Sequence, residues 1–361
     1  MADHTAAVLS RRRLLQLGGL GGAAWLSAAL GGCGAAAVGQ LLSVRGDLPQ
    51  PWLKVLPGGW RSRLMESPQA LLDQIQTPLD PPALLSLGDG WAAQLPSERL
   101  APLQAPGVLA LLDPIAAAPS RLFAAAGSPA LAFPWAFGTW VLLLRNRPDL
   151  LRRRQEGWNL LVDPSLRGRL VLPASPRLLI ELALRQLGRS SRDREALADP
   201  RLLVQLRQLR AQALSLDERN GVNFLLAGDA DLAVIPSQQA VPLLQRDPRL
   251  EAFLPDSGSP LWWQLLLRLA PTGKAQPAPP LPLEWLRDGL SLPLLDRLLA
   301  AGWVPPLPRQ QLNAALARWP ERLRPLLLPP EAVLARCTNL APFSVEERQR
   351  WQQLWDASSP A

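Results

Sequence analysis

The 361-residue chain has no tyrosine, one histidine, two cysteines and two methionines. Each scarcity removes a class of chemistry. His4 and Cys33 both lie in an N-terminal segment that reads as an export signal, so the chain beyond it has no imidazole and a single thiol, Cys337. That excludes a Ser-His-Asp or Cys-His catalytic arrangement and a zinc site built from His and Cys, and a lone thiol forms no disulfide within its own chain. With no histidine to take its proton, Cys337 is expected to be a buried apolar filler rather than a nucleophile. No metal and no cofactor are expected, and no enzyme. Hydrolysis by carboxylates alone would need a placed pair of acids, and the sequence offers none.

What is present is most telling at the start. Ser10-Arg11-Arg12-Arg13-Leu14-Leu15 sets paired arginines ahead of an apolar run from Leu14 to Leu30, and Leu30-Gly31-Gly32-Cys33 has the small residues before cysteine of a lipobox. Arg11 and Arg12 resemble a twin-arginine export signal. Leu14 and Gln16 stand where that pattern favours Phe and Lys, which leaves the general secretory route open. Residues 1–33 are therefore read as a signal with Cys33 as the lipidation site, and the working protein as lipid-anchored on the periplasmic side of a bacterial membrane. A transmembrane anchor is the competing reading, because Leu14 to Gly32 approaches the roughly twenty residues that span a bilayer. The glycines within it and Gln16 argue against that reading.

The remaining composition suits a folded chain with a large core. Hydrophobic residues make up 48% and charged residues 19%, enough for two lobes. The formal charge of +8 falls to +6 once Arg11, Arg12, Arg13 and Asp3 are removed. Arg145-Asn146-Arg147 and Arg152-Arg153-Arg154 lack the aromatic interleaving of a nucleic-acid surface and read as solvated faces, with attraction to anionic lipid beside the anchor as the alternative. No nucleic-acid partner is expected.

Along the chain, residues 34–50 are small and polar and suit a tether. Trp52 to Leu56 reads as a strand stopped by Pro57-Gly58-Gly59, Ser62 to Ile75 has helical spacing, and Ala83 to Leu87 is a second strand stopped by Gly88-Asp89-Gly90. That alternation predicts an α/β layered fold. Ligands in such sheets sit beyond the carboxyl ends of the strands, which would put the turns leading to Trp60 and Trp91 on the ligand side. A second unit is expected after Pro134-Trp135-Ala136-Phe137-Gly138-Thr139. It comprises a strand at Trp140–Leu144, helices at Arg177–Leu187 and Arg201–Leu214, a strand at Leu232–Ile235 with a turn at Pro236-Ser237, and a returning strand at Trp262–Leu267. Pro277 to Pro282 is expected to be a stiff surface loop, and the remainder mostly helical.

This order resembles the type II periplasmic solute-binding proteins, nearest the spermidine/putrescine-binding branch. The resemblance rests on FPWAFGTWVLLLRNRPDL (Phe133 to Leu150), GWNLLVDPSLRGRLVLPASPRLLIELALRQLG (Gly157 to Gly188), LLAGDADLAVIPS (Leu225 to Ser237), LPDSGSPLWWQLLL (Leu254 to Leu267) and AGWVPPLPR (Ala301 to Arg309). It implies two α/β lobes, residues 51–136 with 262–306 and residues 137–261 with 307–357, joined by crossover strands and closing on a small-molecule solute. It also implies a monomer that hands that solute to an ABC permease in the membrane. The absence of tyrosine removes the tyrosinate ligands of ferric-binding members of the family.

The ligand residues implied by the resemblance are Trp60, Asp89, Trp135, Phe137, Thr139, Ser237, Trp262 and Gln264. The family's ammonium-binding acids are missing. They fall on Ala174 or Ser175 and on Leu178, the aspartate after the returning tryptophan is Gln264, and a further tryptophan falls on Pro236. An unpaired ammonium in a cleft is costly, so a standard polyamine is not expected. Asp89 is either a turn former or a ligand contact. Trp262 and Trp263 alternate along a strand, so one faces the core, and the resemblance favours Trp262 for the cleft. Arg177 is either structural or an anion contact. The alternative to a solute binder is an envelope interaction lipoprotein with a degenerate binding-protein fold.

Overall fold

The computed structural model describes residues 38–76, 83–191, 193–217, 220–270 and 280–359. The export signal, with Arg11, Arg12 and Cys33, lies outside them, as does the first half of the expected proline loop. No helix among the described residues is long and apolar enough to cross a membrane.

Among the described residues eleven strands make up one mixed sheet: β1 Gly39–Val44, β2 Trp60–Met65, β3 Ala83–Gly88, β4 Leu100–Ala101, β5 Ala132–Arg145, β6 Leu170–Leu172, β7 Ala213–Leu216, β8 Leu232–Pro236, β9 Leu250–Phe253, β10 Pro260–Leu269 and β11 Thr338–Asn339. The main order is β2-β1-β3-β10-β5-β8-β6-β7. β1, β2 and β3 are mutually parallel on one side, β6, β7 and β8 on the other. Within that order β5 and β10 run against their neighbours and join the two sets.

β5 is the long element, 14 residues with nearly every side chain buried. Its first half pairs with β10 up to Thr139, and from Trp140 it pairs with β8 and, further on, with β9. The continuous apolar sequence fits a strand covered on both faces. One apolar core surrounds β1, β3, β10 and the first half of β5, with Leu41, Leu84, Phe133 and Trp285 among its members. A second, with Leu142, Trp158, Leu179 and Leu206, surrounds β6 and the helices Pro176–Gln186 and Pro200–Gln212.

Several sequence expectations change. Part of the expected tether, Gly39–Val44, is the buried strand β1, with Leu41 and Leu42 wholly inaccessible. Trp52 to Leu56 is not a strand: Gln50–Leu53 forms a helical turn. The cause is a partner far along the chain. The Trp52 and Trp285 rings stack at 4.3 Å, and each indole N–H donates 2.8 Å to the other's backbone carbonyl. The expected helix from Ser62 begins as β2, whose Arg61, Ser62 and Arg63 are exposed at a sheet edge, and turns helical only at Pro68–Gln76. The helix expected to reach Leu214 ends at Gln212, where β7 starts. The turn at Pro236-Ser237 is the start of the helix Ser237–Arg246. Cys337 is buried, with its Sγ 3.4 Å from the Val333 carbonyl.

Candidate functional site

Both sets of parallel strands end at the same place. β1 and β3 lead into Val44–Asp47 and Gly88–Trp91, while β6 and β8 lead into Ala174–Leu178 and Pro236–Gln239. These segments line a cleft of about 900 Å³. A smaller cavity of about 410 Å³, beside Phe253 and Leu323, shares no lining residue with it.

On the wall formed by β3 and β10, Asp89 opens a short helical turn. Register sets Gly88 opposite Gln264, so Asp89 lies beside β10, and the Trp263 backbone N–H reaches its Oδ1 at 3.4 Å. Burial pushes the Asp89 carboxyl up to about 6, against the pull of that N–H and of the Arg177 charge. Gln264 presents a buried Oε1 without a hydrogen-bond donor.

The opposite wall carries donors. Ser175 caps the helix Pro176–Gln186, accepting from the Leu178 N–H, and Arg177 lies in its first turn. The Arg177 guanidinium lies 4.2 Å from the centre of the Phe343 ring and donates through Nη2 to the Ala341 carbonyl. Its Nε is buried and has no acceptor. Burial lowers its pKa to about 10, with the Asp89 charge opposing. The helix Ser237–Arg246 also aims its N-terminal end, with Gln238 and Gln239, at the cleft and has no side-chain cap. Helix N-termini favour negative charge.

Tryptophans complete the lining. Trp91, Trp140 and Trp262 are half-buried and Trp303 is buried, with Trp262 and Trp303 edge to face at 5.8 Å. Trp262 is seated on β5: it pairs with Gly138, its indole N–H reaches the Thr139 carbonyl at 3.3 Å, and a Cβ on Gly138 would come within 2.5 Å of its ring. The glycine is what lets the ring lie against the strand.

Of the eight ligand residues read from sequence, the structure brings Asp89, Trp262 and Gln264 together in the cleft. Trp60 lies elsewhere. It begins β2, paired with Gly39, so it sits at the opposite end of the strands from Val44, roughly 17 Å away at about 3.3 Å per residue. Trp135 is a core residue against Trp52 and Trp303. Phe137 is buried and stacked on Trp263, whose side chain faces inward. Thr139 and Ser237 are buried beneath the lining, the Thr139 N–H reaching Ser237 Oγ at 3.4 Å. Trp140, Trp303, Gln238 and Gln239 were missing from the sequence reading, and Trp91, whose turn that reading put on the ligand side, was not among its ligand residues. A tryptophan following the Gly88-Asp89-Gly90 turn was the available signal for Trp91, whereas Trp303 is brought in by packing alone.

One arginine of each basic run is paired. Arg147 bridges Asp149 at 2.7 Å and Asp231 at 3.1 Å, and Arg153 bridges Glu156 at 2.7 Å and Asp163 at 2.6 Å. Among the described residues no group of three or more His, Cys, Asp or Glu side chains is arranged to hold a metal ion.

No protein-family model matches the sequence, and no curated protein matches it. Solved structures do. The spermidine/putrescine ABC transporter substrate-binding protein PotD of Streptococcus pneumoniae superposes with a TM-score of 0.68 at 15% identity, covering 88% of this chain and 97% of that one. The PotD lipoprotein of Treponema pallidum gives 0.61 at 13% identity, covering 88% and 98%. A putative oligosaccharide periplasmic-binding protein from Synechococcus sp. MITs9220 gives 0.61 at 19% identity, covering 88% and 93%. The chain therefore has the two-lobed α/β fold of type II periplasmic binding proteins.

Proposed function

Taking that fold as the premise, we propose that the chain is the solute-binding component of an ABC importer, held by a lipid on Cys33 to the periplasmic side of a bacterial membrane. It is a binder and not an enzyme, and its ligand is not a standard polyamine. The observation that carries this reading is the cleft itself. Two sets of strands end there, tryptophans line it, and the helix N-termini on one wall favour negative rather than positive charge. One similar structure bears an ABC-transporter substrate-binding name, and another is a PotD lipoprotein. A tether suits such a task, because an anchored binder meets its permease at high effective concentration. Two lobes joined by crossover strands are suited to hinge closure on the solute.

A thermal-shift screen of the full chain in detergent tests the binding step. A ligand at a hundred times its Kd stabilises by about 2.7 kcal/mol, a readable rise in melting temperature. The expected hit is saturable and disappears in Trp262→Ala. No response to a broad library of amines, acids and sugars would instead favour an interaction lipoprotein with a degenerate cleft.

A further inference from the structure

The cleft is electrically asymmetric, and its asymmetry points to a class of ligand. Its lining carries Arg45 and Arg177 against Asp47 and Asp89, so its formal charges cancel. Arg45 is already held by Glu66 at 2.8 Å, outside the cleft. On the β3 and β10 wall the group with capacity to spare is an acceptor, the Asp89 carboxylate, whose hydrogen bonds come from backbone N–H groups alone; Gln264 beside it keeps its Oε1 buried without a donor. Across from it are donors: the Arg177 guanidinium, and the N-terminal turns of the helices Pro176–Gln186 and Ser237–Arg246. Asp89 and Arg177 are near enough for each charge to act on the other.

We infer that the cleft takes a zwitterionic solute, its ammonium set against Asp89 and Gln264, its carboxylate against Arg177, and its apolar body between Trp262 and the other tryptophans. This rests on the solute-binder reading above. A diamine meets one carboxylate and then a guanidinium, and a diacid meets the reverse. Each leaves one buried charge facing its like, whereas a zwitterion satisfies both walls at once.

A probe series that varies charge on one rigid aromatic frame separates the cases. Binding of para-aminomethylbenzoate, benzylamine, benzoate, para-xylylenediamine and terephthalate to the full chain is measured by calorimetry. The zwitterion is expected to bind at least about tenfold more tightly than any other member, since a charged hydrogen bond contributes about 1.5–3 kcal/mol and 1.4 kcal/mol is tenfold. Arg177→Met should abolish its preference over benzylamine while leaving benzylamine binding no weaker. Asp89→Asn should abolish its preference over benzoate. Near-ultraviolet circular dichroism reports whether each variant keeps its tryptophan packing. Equal or tighter binding of the diamine or the diacid overturns the inference, as do preferences that survive both substitutions in folded variants. If no probe binds but an uncharged or singly charged solute from the library binds in a Trp262-dependent way, the zwitterion class falls while the binder reading stands. If nothing binds at all, both fall.

Discussion

Arg185 and Glu181 form an ion pair inside the second core, 3.2 Å apart with side chains 4% and 0% exposed. Glu181 also accepts from Thr338 Oγ1 at 3.1 Å and from the Ser191 N–H at 2.9 Å, while Arg185 donates to the Ser257 carbonyl at 3.0 Å and to Thr338 Oγ1 at 2.8 Å. The pair ties the helix Pro176–Gln186, whose first turn carries Arg177, to β11 and to the loop before β10. Arg185→Met keeps the hydrocarbon stem and strands the carboxylate. Removing one partner of a buried pair costs about 3–5 kcal/mol, a large share of the about 5–15 kcal/mol that holds a typical domain together. At a urea slope of about 3 kcal/mol per molar, a loss of 4 kcal/mol lowers the midpoint by about 1.3 M. The double variant Glu181→Leu with Arg185→Met leaves no buried charge, so most of the loss should return, since apolar replacement of a whole pair is often neutral. The assay is urea unfolding followed by tryptophan fluorescence for wild type, both single variants and the double, read as a double-mutant cycle. A loss below about 1 kcal/mol in Arg185→Met, or a double variant less stable than either single one, would refute the reasoning.

Other perturbations bear on the cleft and the anchor. The Asp89 carboxyl titrates near 6 when folded, against 3.8 for its ordinary value, so between these pH values the native state holds the extra proton and stability falls as pH rises. Asp89→Asn should flatten that fall and stabilise the unliganded protein at pH 7.5 by up to about 2 kcal/mol, checked by melting temperature from pH 4 to 8. Gly138→Ala should displace the Trp262 ring and cost about 1–3 kcal/mol by overpacking, with a change in near-ultraviolet circular dichroism that Gly90→Ala, where a Cβ meets nothing, does not give. Cys33→Ala should move the protein from the membrane fraction to the soluble envelope fraction. Retention as an integral membrane protein would point to a spanning anchor instead.

The sequence was most legible where one local rule decides the outcome. The apolar runs of β3, β8 and β10 and the proline-led helix at Pro176 follow from pattern alone, and the Gly88-Asp89-Gly90 turn correctly marks the strand end that faces the cleft. It was least legible where a distant partner decides. Trp52 turns helical because Trp285, more than two hundred residues later, stacks on it and exchanges hydrogen bonds with it. Moving the first strand back to Gly39 reverses the end at which Trp60 lies, so one misread strand carried a site residue to the wrong pole. Trp135 and Phe137 fail as ligand residues for a similar reason: aromatic residues within a strand buried on both faces belong to the core unless a neighbour exposes them.

β5 changes its pairing partner at Thr139–Trp140, and at that step hydroxyl groups stand in for the ladder. The Trp140 N–H donates to Ser259 Oγ at 2.9 Å, Ser259 Oγ lies 2.9 Å from the Trp140 carbonyl, and the Thr139 N–H reaches Ser237 Oγ. A backbone carbonyl is fixed in direction by its own strand, but a serine hydroxyl turns about its χ1 and can follow a moving N–H. Any change in angle between the two halves of the sheet can thus be absorbed at this step without stranding a main-chain group. The same step holds the Trp262 indole through the Thr139 carbonyl. Amide exchange at Thr139 and Trp140 is therefore a single gauge of both the bend and the seat of the ring.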